Sequence, residues 1–138
     1  MGKLLQRLRD ASRSGVYRSE RRDAIAEAVQ GSALDMVDIH LEKQNLFEIF
    51  ATALAFPEWF GRNWDALEDC LGDLSWRPAE GHVLMVQNHD RLPKDELGVL
   101  LDVLASSAEY WAARGKPFFA VFIDPRRSLE LPDLYREK

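Results

Sequence analysis

Apolar residues recur along this chain in two rhythms, and the change from one to the other marks the elements. Leu46, Ile49, Phe50, Ala53 and Leu54 stand at helical spacing within 45–55, with Asn45 placed as N-cap and Pro57 as the stop. A longer helix is predicted from Lys94 to about Arg114. Its core face is Leu97, Leu100, Leu101, Leu104, Ala108 and Trp111, and Gly115 sits just past its end. Between these, HVLMVQN (82–88) and FFAVFID (118–124) are unbroken apolar runs of the buried-strand kind. ALDMVDIHL (33–41) alternates instead, with Leu34 and Met36 opposed to Val37, Ile39 and Leu41, so both faces of that strand are largely apolar. Nearer the start, Leu4, Leu5 and Leu8 share one side of a short helical stretch, and ASRSG (11–15) breaks it. GVYR (15–18) reads as a short strand and RRDAIAEAVQ (21–30) as an amphipathic helix ended by Gly31. The last stretch, 124–138, has two prolines and mixed charge; it is either a loose tail or one docked by Leu129, Leu131 and Leu134. Strands separated by helices predict an α/β fold with a parallel sheet.

A length of 138 residues predicts one domain with a real core. No run of eighteen apolar residues exists, so no membrane partner is expected. MGKLLQRLRDASRSG carries charges where a signal peptide needs an apolar region, which predicts a cytoplasmic protein. The lone cysteine, Cys70, allows neither an intramolecular disulfide nor a cysteine-based metal site. Charge is split along the chain. Residues 1–31 hold seven Lys/Arg against four Asp/Glu, and 32–138 hold eleven against nineteen, giving the net −5. An acidic body argues against direct nucleic-acid binding and favours a basic protein partner.

The acids concentrate in FPEWFGRNWDALEDCLGDLSW (56–76), among three tryptophans and two phenylalanines, with only Arg62 to oppose them. On a helix started by Asn63, Trp64, Leu67, Leu71 and Leu74 form the core stripe. Asp65, Asp69 and Asp73 then fall in a row on another side, flanked by Glu68. Like charges four residues apart destabilise a helix by a few tenths of a kcal/mol per pair, and Asp73 also opposes the helix dipole. The row is either a solvated face or a surface kept for a cationic partner. Trp59, just ahead of it, is either a capping core residue or an exposed anchor of the kind found at binding hot spots.

These residues resemble the signature of the barstar family, intracellular inhibitors of secreted microbial ribonucleases. The resemblance rests on Pro57 to Gly61 as a Pro-Glu-aromatic-aromatic-Gly turn, on Asn63 as the cap, and on Asp65-Ala66-Leu67 and Asp69-Cys70-Leu71. The element order over about 33–124 matches too. The resemblance implies a barstar-like α/β fold, a small three-stranded parallel sheet packed with helices. It also implies that the acidic helix covers the cationic site where a ribonuclease binds RNA phosphate. On that basis Trp59 is the aromatic anchor and Asp65 and Asp69 the key aspartates; Glu68 and Asp73 from the acid row, and Glu109, complete the expected partner-binding set, and a monomer is expected. This chain departs from the family at Glu68, where the inhibitor has tryptophan, and at Asp73-Leu74, where it has a Gly-Trp pair. The family's further acid on the long helix falls here on Tyr110; Glu109, one residue earlier, is turned from it by about 100°. Residues 1–31 form a basic extension that either adds a strand and a helix to the sheet or lies near the acid row. The barstar-like domain then spans 32–124 and the tail 125–138.

Other chemistry is thin. His89-Asp90 ends a strand, where α/β sheets often place sites, but there is no HxxxH, HExxH or cysteine pair, so no metal is expected. His40 and His82 read as strand-edge residues. No phosphate-binding loop or dinucleotide fingerprint occurs, so no cofactor is expected. Asp69 and Asp73 beside Cys70 would raise its thiol pKa, against a nucleophile. Asp65 with Asp69 lacks the opposite wall that a glycosidase needs. The chain therefore reads as a binding protein and not an enzyme. The alternatives are a barstar fold reused as a regulatory interaction module, or a small hydrolase.

Overall fold

The computed structural model describes residues 2–135; positions 136–138 of the predicted tail, and Met1, lie outside them. Among the described residues are strands β1 (Gly15–Ser19), β2 (Leu34–His40), β3 (Gly81–Gln87) and β4 (Phe118–Ile123). The helices are α1 (Lys3–Leu8), α2 (Arg22–Val29), α3 (Leu46–Leu54), α4 (Trp64–Asp73) and α5 (Lys94–Ala113). The strands form one sheet in the order β1-β4-β3-β2, every neighbouring pair parallel. The fourth strand, β1, comes from the basic extension.

Both inner strands are apolar on both faces because both faces are covered. Leu84 and Val86 of β3 and Phe118, Ala120 and Phe122 of β4 look toward α3, α4 and α5. Val83, Met85, Phe119 and Val121 look the other way, onto Leu8, Ile25 and Val29 of α1 and α2. The extension thus closes the second face of the sheet as well as lengthening it. It is fastened there by Arg22, which donates to both Asp38 oxygens at 2.8 and 2.6 Å, while Gln87 donates to the same carboxylate at 2.8 Å.

The tail is docked through Leu134, which is fully buried, with Leu129 and Leu131 half-buried against the core. Arg18 N–H donates to the Pro132 carbonyl and Leu134 N–H to the Arg18 carbonyl, each at 2.9 Å, so the tail runs along the outer edge of β1. The buried Arg18 guanidinium pairs with Asp133, donates to the Asp124 carbonyl at 2.9 Å, and reaches Glu20 at 3.3 Å.

Three local expectations change. Asn45 precedes α3 but is left-handed (φ 66°) and makes no side-chain cap. The helix ends at Leu54, one residue short of the expected 45–55, because Ala55 turns left-handed and Phe56 N–H closes onto the Ala51 carbonyl at 2.9 Å before Pro57 is reached. His82 is not a strand-edge residue: it lies on inner strand β3, buried, with Nδ1 3.0 Å from Asp35 Oδ2.

Asp35 also accepts two bonds from Arg77, at 2.8 and 2.9 Å. Burial pushes the Asp35 carboxyl up, but the hydrogen bonds from His82 and Arg77 outweigh it and hold the group well below the usual carboxylate range. A depressed folded-state pKa stabilises the protein above the unfolded value and loses that contribution as pH falls below it. Urea unfolding should therefore show stability declining below about pH 4. Asp35→Asn should flatten part of that decline while lowering stability at neutral pH, because it takes Arg77's carboxylate away.

Candidate functional site

The loop between α3 and α4 is held from beneath by aromatic contacts. Phe60, 4% exposed, packs edge-on against Phe56 at 4.9 Å and Phe47 at 6.5 Å. Phe47 meets Trp64 at 5.1 Å, and the Trp76 indole N–H donates to the Leu54 carbonyl at 2.9 Å. Phe60 N–H returns to the Pro57 carbonyl at 3.1 Å, which closes a turn over Glu58 and Trp59. Trp59 is carried on that turn 65% exposed, so it is no core cap. Arg62, left-handed at φ 52°, pairs with Glu48 and donates to the Phe60 carbonyl. The one cation of the stretch is thereby turned to Glu48.

Asn63 then starts α4 from an extended conformation, its side-chain oxygen accepting from Ala66 N–H at 2.8 Å. Leu67, Cys70 and Leu71 are buried, and Leu74 is buried just past the helix end. Asp65, Glu68, Asp69 and Asp73 are exposed, and no cation pairs with any of them among the described residues. The helix stays in place through its other side. The Trp111 indole N–H of α5 donates at 2.8 Å to the Leu71 carbonyl, one of the last-turn acceptors that a helix cannot satisfy internally. Burial pushes the Cys70 thiol pKa up, and Asp73 and Asp69 add to the rise, so the sulfur is a packing group.

A groove of about 440 Å³ runs between α4 and α5, lined by Glu68, Asp69, Gly72, Asp73, Ser106, Ser107 and Tyr110. A Cβ placed on Gly72 would sit 3.8 Å from the Tyr110 ring, an ordinary van der Waals contact, so the ring lies against α4 without requiring glycine there. The Arg114 guanidinium stacks on this ring, 3.5 Å from its centroid, and donates to the Tyr110 carbonyl at 3.1 Å. The phase of α5 therefore puts Tyr110 in the groove beside the acids. Glu109 is exposed but is not among the groove residues. Ser106 and Arg114, one turn before and after Tyr110, were legible from helical spacing alone once Tyr110 was chosen. Gly72 had no such signal.

The histidines form no comparable site. His40 is exposed at the end of β2. His89 Nε2 lies 3.1 Å from Ser128 Oγ and 3.9 Å from Asp124. No group of three or more His, Cys, Asp or Glu suited to a metal occurs among the described residues. No helix there is long and apolar enough to cross a membrane.

The fold is thus a parallel α/β domain with an exposed tryptophan ahead of a helix whose four acids pair with no cation among the described residues. A family model described as Barstar (barnase inhibitor) matches residues 32–123, two thirds of the chain, and the chain belongs to the barstar family. No characterised protein sequence gives a significant match.

Two outcomes follow from this geometry. Asn63→Ala should cost about 1 kcal/mol in urea unfolding, the usual value of a helix cap. Asp69→Lys should raise stability by a few tenths of a kcal/mol, because it replaces two repulsions along α4 with two attractions. A loss of stability would mean that Asp69 has a folding role.

Proposed function

We propose that this chain inhibits a basic ribonuclease of the microbial type by laying α4 and the Trp59 turn across its active site. The observation that carries the reading is the set of four exposed carboxylates on α4, paired with no cation among the described residues, in a member of the barstar family. A ribonuclease must bind phosphate, so its site holds arginine, lysine or histidine. Carboxylates fixed on a helix can pair with such groups, bidentately in the case of arginine, without ordering a flexible loop first. Trp59 supplies an apolar anchor that excludes water beside the charged pairs. Glu68 and Asp73 stand in the same groove wall as Asp69, and Glu109, exposed on α5 outside the groove, is an additional acid for the partner. The acidic body speeds encounter with a cationic partner, over a screening length of about 8 Å at physiological salt.

The protein acts by binding and not by turnover. The wall facing the row is Ser106, Ser107 and Tyr110, with no second carboxylate to complete an acid–base pair. Like the family's inhibitors, it works in the cytoplasm.

The test is inhibition of RNA cleavage by a basic microbial ribonuclease. Wild type should inhibit, and raised salt should slow association. Asp65→Ala and Asp69→Ala should each weaken binding by roughly 2 kcal/mol, about thirtyfold, with melting behaviour unchanged. Trp59→Ala should fall in the same range. Inhibition that survives the double aspartate variant would remove α4 from the contact. Failure to inhibit any basic ribonuclease, with retention of another protein on the same face, would move the family fold to a different partner.

A further inference from the structure

The two edges of the sheet are finished differently. Residues 132–134 run along the outer edge of β1, whereas β2 ends the sheet on the other side with β3 as its one strand partner among the described residues. Leu41 N–H donates to the Gln87 carbonyl at 2.9 Å, which fixes the phase of β2 on β3. Asp35, Val37, Ile39 and Leu41 therefore turn their backbone groups to β3, and Leu34, Met36, Asp38 and His40 turn theirs outward. The outward N–H and C=O groups of Met36, Asp38 and His40 have no hydrogen-bond partner among the described residues.

Such an edge templates another strand unless something blunts it. Strand β2 holds no proline and no lysine, and its register on β3 runs without a bulge. Its two acids are both matched from within the fold. Arg77 donates twice to Asp35 and Arg22 twice to Asp38. The edge is thus close to neutral in a chain of net charge −5. Asp35, Met36 and Asp38 are only half-buried, so α2 and α3 cover the two faces of β2 without closing over its edge.

We propose that β2 pairs with β2 of a second copy of this chain, antiparallel about a two-fold axis at Val37, so that two sheets join into one. This sets a dimer against the monomer that the family resemblance implies. The strand's own pattern selects the occupant. With the axis at Val37, Leu34 meets His40 of the second copy and Met36 meets its Asp38, across the whole length of β2. Every outward-turned residue then faces another, which gives roughly eight backbone hydrogen bonds. On the other face Val37 meets its own image and Asp35 meets Ile39. No two like charges stand directly opposite, the arrangement that destabilises a strand pair. An axis at Asp38 sets that carboxylate against itself and shortens the overlap. A foreign strand is selected by charge complementarity, and this neutral edge offers none; a copy needs only the self-match. The pairing is isologous and closes as a dimer. None of its residues lies on α4 or the Trp59 turn, so it does not rest on the ribonuclease reading.

The experiment is sedimentation of the full chain from about 1 μM to about 1 mM, with amide hydrogen exchange at both ends of that range. Twice the chain mass of 15.8 kDa is expected at the upper concentrations. Exchange at Met36, Asp38 and His40 should slow at least about tenfold on concentration. Val37, Ile39 and Leu41, bonded to β3, should be protected throughout. Met36→Pro removes one outward N–H, at an edge position where proline is accommodated, and should weaken association at least about tenfold. His40→Pro, at the exposed end of the strand, makes the same test if the first variant melts early. Asp65→Ala with Asp69→Ala should leave association unchanged, which separates this edge from the ribonuclease reading. The proposal is overturned by a monomer up to about 1 mM, or by a dimer whose three outward amides exchange as in the monomer. It is also overturned by a proline variant that melts like wild type and associates as tightly, or by association lost in the double aspartate variant.

Discussion

The bond from the Trp111 indole to the Leu71 carbonyl helps hold α4, a helix whose row of like charges repels itself. Helix α4 carries four exposed acids with no cation among them, and its last turn ends in Asp73, where the dipole disfavours a negative charge. Such a helix owes its order to what lies on its other side. Leu67, Cys70 and Leu71 are fully buried there, Asn63 caps the start, and Trp111 takes up a carbonyl near the end. Each of these contacts comes from the side facing away from the row. Among the described residues the carboxylates stay unpaired while the helix that carries them is held in place, which suits the cationic partner proposed for it.

The same separation of tasks runs through the charges of the molecule. Acids that serve the fold are paired. Asp35 is held by Arg77 and His82, Asp38 by Arg22 and Gln87, and Asp124 and Asp133 surround Arg18. Burial of these groups would cost several kcal/mol each if they stood alone. Each cluster joins segments far apart in the chain, so the polar network sets which pieces meet as well as satisfying its own members. The four exposed acids of α4, by contrast, pair with no cation among the described residues.

The additions also change the sheet. Residues 32–123, which the family model matches, supply three of the strands, β2, β3 and β4, with α3, α4 and α5 on one face. Here β1 pairs with β4 and extends the sheet, α1 and α2 cover the second face, and residues 132–134 run along the edge of β1. A second covered face explains why Val83, Met85, Phe119 and Val121 can be as apolar as the residues opposite them. It also shields a strand edge that would otherwise offer unpaired backbone groups to other chains.

Much of this was readable from local rhythm. Helical spacing located α3, α4 and α5, continuous apolar runs located β3 and β4, and the wheel separated the Leu67–Leu71 stripe from the Asp65–Asp69–Asp73 row. Those features depend on side chains within a turn or two of each other, where backbone geometry fixes which of them share a face. The long-range questions were decided only in three dimensions. Whether Trp59 caps the core or stands in solvent depends on Phe56 and Phe60 filling the space beneath the turn first. Whether Tyr110 or Glu109 meets the acids depends on the rotation of α5, set by Trp111 against Leu71. The docking of the tail depends on Arg18 and Asp133, 115 residues apart. By itself the sequence determined the elements, their order and the two faces of α4, because these follow from periodicity. Tertiary structure decided which charges are spent inside the fold and which remain on the surface, because pairing depends on distance in space and not along the chain.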